Sequence, residues 1–143
     1  MTQPADGIGE QPEGSGRPSR PCGVLIVDDN EAVRTVLGAG LGASGFAVWL
    51  AADGYEGVAA YREHGRAIDL LLLDVPMPGR DGPETLSAIR AHAPDLPCCL
   101  MSGDTGHYTE QELLGLGAIA VLQKPFRLGE LIAQLRRLAA PLS

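Results

Sequence analysis

The sequence predicts a doubly wound α/β domain, with five parallel strands in the order 2-1-3-4-5 and helices on both faces of the sheet. Three observations carry this expectation. Short apolar runs recur at residues 24–27, 46–51, 70–73, 98–101 and 118–122. They are near-continuous rather than alternating, as strands covered on both faces require. Amphipathic stretches with helix-start signals separate the runs, and strand–helix alternation with right-handed crossovers builds a parallel sheet.

The elements follow in order. Val24-Leu25-Ile26-Val27 ends in Asp28-Asp29-Asn30, where Asp29 or Asn30 can cap a helix. That helix shows Val33, Val36, Leu37 and Leu41 at helical spacing, and Gly45 marks its end. Gly38, Gly40 and Gly42 fall inside it, each costing roughly 1 kcal/mol relative to alanine. After the second run, Asp53-x-x-Glu56 resembles a capping box, and Gly65 lies where the second helix should stop. Leu70-Leu71-Leu72-Leu73 ends in Asp74, directly before the breaker cluster Pro76-Met77-Pro78-Gly79. Asp81-x-x-Glu84 then opens a helix carrying Leu86, Ile89 and Ala93. The fourth run ends at Ser102-Gly103, Thr109-x-x-Glu112 opens the next helix, and Gly117 closes it. The fifth run leads to Lys124-Pro125 and a last helix with Leu128, Leu131, Ile132, Leu135 and Leu138.

Composition narrows the function classes. Residues 1–21 are rich in Gly, Pro, Ser and Gln, and read as a disordered tail before a domain at 22–143. The net charge of -7 argues against direct DNA binding, which needs a basic face. No apolar run approaches ~20 residues, so no membrane span is expected. The start lacks a basic and an apolar region, so no signal peptide is expected. The three cysteines, Cys22, Cys98 and Cys99, form no C-x-x-C pair. Cys98-Cys99 reads as core, and a cytoplasmic location is expected. His64, His92 and His107 are scattered and read as surface residues.

In a sheet of this order, strands one and three are neighbours where the winding reverses, and ligands bind at carboxyl ends there. Asp28, Asp29 and Asp74 should therefore converge, with Ser102 and Lys124 beside them. Each has a bland reading as a cap, a turn or a solvated charge. Five compatible groups offered together at the strand ends favour chemistry. Clustered carboxylates suit a hard cation, most simply Mg2+. A hydroxyl and an ammonium opposite suit a phosphoryl group, which a carboxylate can itself accept.

On these motifs the chain resembles a response-regulator receiver domain of bacterial two-component signalling. The matching segments are Val24-Leu25-Ile26-Val27-Asp28-Asp29-Asn30, Leu71-Leu72-Leu73-Asp74-Val75-Pro76-Met77-Pro78-Gly79-Arg80-Asp81-Gly82, Met101-Ser102-Gly103 and Lys124-Pro125-Phe126. The resemblance implies that Asp74 accepts a phosphoryl group from a sensor histidine kinase or a histidine phosphotransfer protein. It implies Mg2+ ligation by Asp29 and Asp74 directly, by Asp28 largely through water, and by the backbone carbonyl of Pro76. Ser102 and Lys124 then contact the phosphoryl group, and the bond before Pro125 is expected to be cis. A stand-alone module is implied, acting through an unidentified downstream protein or within a phosphorelay. A homodimer through helix four, strand five and helix five is also open.

Three positions depart from the family pattern. Val121 stands where an aromatic switch residue is common, Pro76 is a stiff residue two past the acceptor, and Arg127 replaces a polar cap. Two other classes compete. An aspartate-nucleophile phosphohydrolase would need a second acid where Pro76 stands. A receiver-shaped binding module without phosphate control would fit Val121 and Pro76 but not the retained acids, serine and lysine.

Overall fold

The computed structural model describes residues 20–103 and 108–139. The expected tail, apart from residues 20 and 21, lies outside the described residues, as do His107 and the chain end at 140–143. Five strands form one parallel sheet: β1 (Gly23–Val27), β2 (Ala47–Ala51), β3 (Leu70–Asp74), β4 (Cys98–Ser102) and β5 (Ala120–Gln123). Their spatial order is β2-β1-β3-β4-β5, as the sequence predicts. Between them lie α1 (Glu31–Ala43), α2 (Gly54–His64), α3 (Gly82–Arg90), α4 (Glu110–Gly115) and α5 (Leu128–Ala139).

Alternation across the pleat explains why the strand runs are apolar throughout. Val24, Ile26, Leu70, Leu72, Cys99 and Met101 face α1 and α5 through Leu37, Leu41, Leu131 and Leu135. Leu25, Val27, Leu71, Leu73, Cys98 and Leu100 face the other side, with Val58, Leu86, Ile89 and Leu113. Every one of these strand residues is fully buried. Truncating a leucine here to alanine costs about 2–5 kcal/mol. Cys98 and Cys99 are free core thiols, and burial raises both, Cys99 to about 11, so neither supplies thiolate near neutrality.

Helix ends follow the sequence signals with one exception, at Glu56. Gly45 (φ 99°) ends α1 in a left-handed turn, with Gly45 N–H donating to Gly42 O and Phe46 N–H to Leu41 O. That bond places Phe46 in the helix end, so β2 starts one residue later than expected. Asp81 with Glu84 and Thr109 with Glu112 form complete capping boxes. Asp53 caps α2, but Glu56 reaches back to the N–H of Ala52 (2.9 Å) rather than to its cap residue. α2 stops at Gly65 as expected, on a right-handed glycine (φ −52°) that opens a 3-10 turn, Gly65–Ala67. His64 is not a free surface ring, because it stacks on Trp49 with centroids 5.4 Å apart. Gly40 has a packing reason: a Cβ there would run into the side chain of Leu128 of α5.

Candidate functional site

The sheet register gathers the strand ends. Val27 pairs with Ala51 and Leu73, Asp74 with Met101, and Ser102 with Gln123. The chain therefore leaves β1, β3, β4 and β5 at one edge, and the next residues form one crevice. Asp28 N–H donates to Ala51 O at 3.1 Å, and Val75 N–H to Met101 O at 2.9 Å, which extends the ladder past the strands. On the far side of β3, Gly82 packs against the Asp74 backbone. A Cβ on Gly82 would sit 2.5 Å from Asp74 O, and Gly82 N–H donates to Val75 O at 2.8 Å.

Asp28, Asp29 and Asp74 each place a carboxylate oxygen within 4.8 Å of the others. Asp28 and Asp74 are buried, and Asp29 is exposed at the mouth. Lys124 reaches in from the end of β5, donating to Asp28 Oδ2 at 2.8 Å and Asp74 Oδ1 at 3.1 Å. The bond following it, Lys124-Pro125, is cis. The Asn30 N–H donates to Asp28 Oδ1 at 2.9 Å, while Asn30 Oδ1 caps α1 through Val33 N–H. Of the two candidate caps, Asn30 takes that place. Asp29 is left with its carboxylate available.

The electrostatics are unbalanced. Three carboxylates face one ammonium. Burial, then the charge of Asp28, pushes the Asp74 carboxyl up to about 6, with Lys124 pulling the other way. Burial alone would lower Lys124, but its hydrogen bonds and charge attraction to Asp28 and Asp74 raise it, so it stays an ammonium. Ser102 is fully buried, and its Oγ has no hydrogen-bond partner among the described residues. A crevice short of positive charge, with an unused hydroxyl beside it, fits a divalent cation and an anionic group.

All five side chains singled out by the sequence lie at this strand-end edge. Pro76 follows them, exposed, in the segment between β3 and α3, where it offers a carbonyl and no carboxylate. Val121 lies half-buried within β5, packed against the α2/α3/α4 side of the core. The carbonyl of Arg127 accepts the N–H of Leu131, so this residue opens α5 through its backbone and leaves its side chain exposed. Sequence reasoning missed two residues. Arg34 donates to Asp28 O at 2.7 Å, fixing the turn after β1. Its signal is its place on α1, one turn after the Asn30 cap. Tyr108 donates to Asp81 Oδ2 at 2.9 Å, and nothing in local periodicity marks it. No helix among the described residues is long and apolar enough to cross a membrane.

Comparison with known proteins agrees with this geometry. Residues 24–136 match the family described as response regulator receiver domain. The transcriptional regulatory protein PrrA of Mycobacterium tuberculosis is 38% identical over 115 residues, covering 80% of this chain and 48% of PrrA. Response regulator MprA of Mycobacterium avium is 38% identical over 118 residues, covering 80% of this chain and 50% of MprA. The chain thus spans about half the length of the curated relatives it matches. Among solved structures, chemotaxis protein CheY4 of Vibrio cholerae superposes with a TM-score of 0.75 at 31% identity, over 82% of this chain and 98% of that one. A chain of the CheX-CheY-BeF3-Mg+2 complex from Borrelia burgdorferi gives 0.78 at 28% identity, over 85% and 92%. With fold, strand-end acids and family match in agreement, this chain belongs to the response regulator receiver domains of two-component systems.

Proposed function

We propose that this receiver is phosphorylated on Asp74 in a two-component phosphorelay and signals through protein contacts. The donor is a phosphohistidine on a sensor histidine kinase or a histidine phosphotransfer protein. Its N–P bond breaks as an O–P bond forms at an Asp74 carboxylate oxygen. The observation that carries this reading is the crevice itself. Asp74 ends β3 beside two more acids, a lysine within hydrogen-bond distance and an unpartnered buried hydroxyl.

Asp28, Asp29, Asp74 and the Pro76 carbonyl would hold Mg2+, which when bound offsets the charge of the carboxylates and of an incoming phosphoryl group. The Borrelia burgdorferi complex, whose name includes BeF3 and Mg+2, supports that choice. Lys124 holds a phosphoryl oxygen as a point charge, and Ser102 Oγ donates to another. The domain acts in the cytoplasm as a signalling module rather than an enzyme with its own substrate. Its acidic charge argues against DNA contact by this domain. Exposed Leu114, Leu116 and Ile119, at 41%, 49% and 44%, support pairing of two copies on the α4–β5 side. The test is incubation with acetyl phosphate and Mg2+, followed by peptide mass mapping. One phosphoryl group on the peptide containing Asp74 supports the reading, and none, or one elsewhere, contradicts it.

A further inference from the structure

Val121 raises a question of readout. A valine side chain has one stiff torsion and cannot swing between two positions as an aromatic does. The structure offers another connection between the phosphoacceptor and the surface, and it runs through α3 and α4.

α4 has only six residues, with Leu113 its one buried residue. Side-chain hydrogen bonds tie its two flanks to α3. Beyond its C-terminal end, Arg90 of α3 donates to Gly117 O at 2.9 Å and to Leu96 O at 3.1 Å. This end is tightly packed, since a Cβ on Gly117 would run into the Arg90 guanidinium. Before its N-terminal end there is, among the described residues, one such bond, from the Tyr108 hydroxyl to Asp81 Oδ2 at 2.9 Å. Tyr108 directly precedes Thr109, the N-cap of α4, and its ring packs against the same apolar cluster as Val121.

The partner of Tyr108 is well placed. Asp81 caps α3 with its other oxygen, at 2.9 Å from Glu84 N. Its neighbour Gly82 is the residue pressed against the Asp74 carbonyl. Tyr108 also lies six residues after Ser102, whose unpartnered Oγ is the group expected to turn toward a phosphoryl oxygen. One hydrogen bond therefore joins the segment that follows the acceptor to the segment that follows the hydroxyl. Resting on the Asp74 phosphoacceptor reading above, we propose that the Tyr108–Asp81 bond is a latch that holds the N-terminal end of α4 in the resting state and is released when Asp74 carries a phosphoryl group. Tyr108 is a positioning residue, and the Arg90–Gly117 contact is the fixed end about which α4 shifts.

Tyr108→Phe removes the hydroxyl and keeps the ring. Amide hydrogen exchange across residues 109–117 is measured for wild type and variant, before and after acetyl phosphate with Mg2+, with uptake read by intact mass on the same samples. In wild type, phosphorylation should speed exchange of α4. In Tyr108→Phe it should already be faster before phosphorylation, by roughly 3- to 10-fold as one net hydrogen bond allows. Phosphorylation should then add little. If the hydroxyl has a merely structural role, its loss would speed exchange by the same factor in both states, and that result overturns the latch. So does a wild type that takes up the phosphoryl group without any change in α4. A wild type that takes up none overturns the acceptor assignment instead, and the release step with it. Faster α4 exchange in the unphosphorylated variant would then still report the resting bond.

Discussion

β3 carries a carboxylate at each end, and the two are treated in opposite ways. Asp69, just before the strand, is saturated. Arg20 donates to both its oxygens at 2.8 and 2.9 Å, and Gly23 N–H adds a bond at 2.8 Å. Burial alone would raise its carboxyl, but the hydrogen bonds from Arg20 and Gly23 and the charge of Arg20 hold it below the ordinary range. Asp74, at the other end, shares one lysine with Asp28, has two acids beside it and is pushed up to about 6. A carboxylate that only closes a structure has its bonds completed by the protein. One that binds something else is left with bonds unmade and charge unbalanced.

The contrast should appear first in the pH dependence of stability without metal. Asp74 has a folded value above its ordinary 3.8, so the folded state keeps a proton that the unfolded chain has lost. Its contribution therefore falls as pH rises from about 4 to about 6, by roughly 2–3 kcal/mol, and is flat above. Asp69 has the opposite sign: it stabilises above its ordinary value, and that is lost as pH falls through its lowered one. Denaturant melts in chelator, wild type against Asp74→Asn, isolate the first term. A difference between the two that does not change over this window would remove the imbalance from the account.

Mg2+ comes next. A cation that binds only the folded crevice adds about 2.7 kcal/mol at a hundredfold excess over Kd, a rise of several degrees in Tm. Asp29→Ala should lose most of that rise, whereas Asp69→Ala should keep it. Equal melting points across a wide Mg2+ titration would mean that no site forms.

These two ends were not equally legible in the sequence. The acidic crevice could be read because each of its members follows an apolar run, and parallel register brings run ends together without any knowledge of side-chain contacts. Capping boxes at Asp81 and Thr109 were legible for a similar reason, since a cap is local. The Arg20–Asp69 clasp, the Tyr108–Asp81 bond and the Arg90–Gly117 tether join residues 49, 27 and 27 positions apart. No periodicity or spacing marks such pairs, because tertiary packing alone brings them together. Gly65 ends α2 where the sequence places the stop, but a glycine after a helix gives the same signal whether the chain turns left-handed or, as here, tightens into a 3-10 turn.

A smaller effect is expected at Pro76. Proline keeps its carbonyl for a cation but has no N–H for the phosphoryl group and no polar group to guide water. Phospho-Asp74 should therefore hydrolyse slowly, and Pro76→Asn should speed its decay severalfold at equal Mg2+. Decay at an unchanged or lower rate would show that water is guided from elsewhere. The smallest effect is at the saturated end. The Arg20 and Asp69 side chains are 40% and 36% exposed, so water screens the pair and Arg20→Ala should lower Tm only slightly, and less at high salt. It should leave the Mg2+ response unchanged.

The central claim is that, of the two carboxylates that flank this strand's apolar run, Asp74 is the reactive one. Intact-mass and peptide measurements after acetyl phosphate with Mg2+, on wild type, Asp74→Asn and Asp69→Asn, test it most directly. The account predicts one phosphoryl group on wild type and on Asp69→Asn, located at Asp74, and none on Asp74→Asn. Undiminished labelling of Asp74→Asn, or loss of labelling in Asp69→Asn with the fold intact, would contradict it.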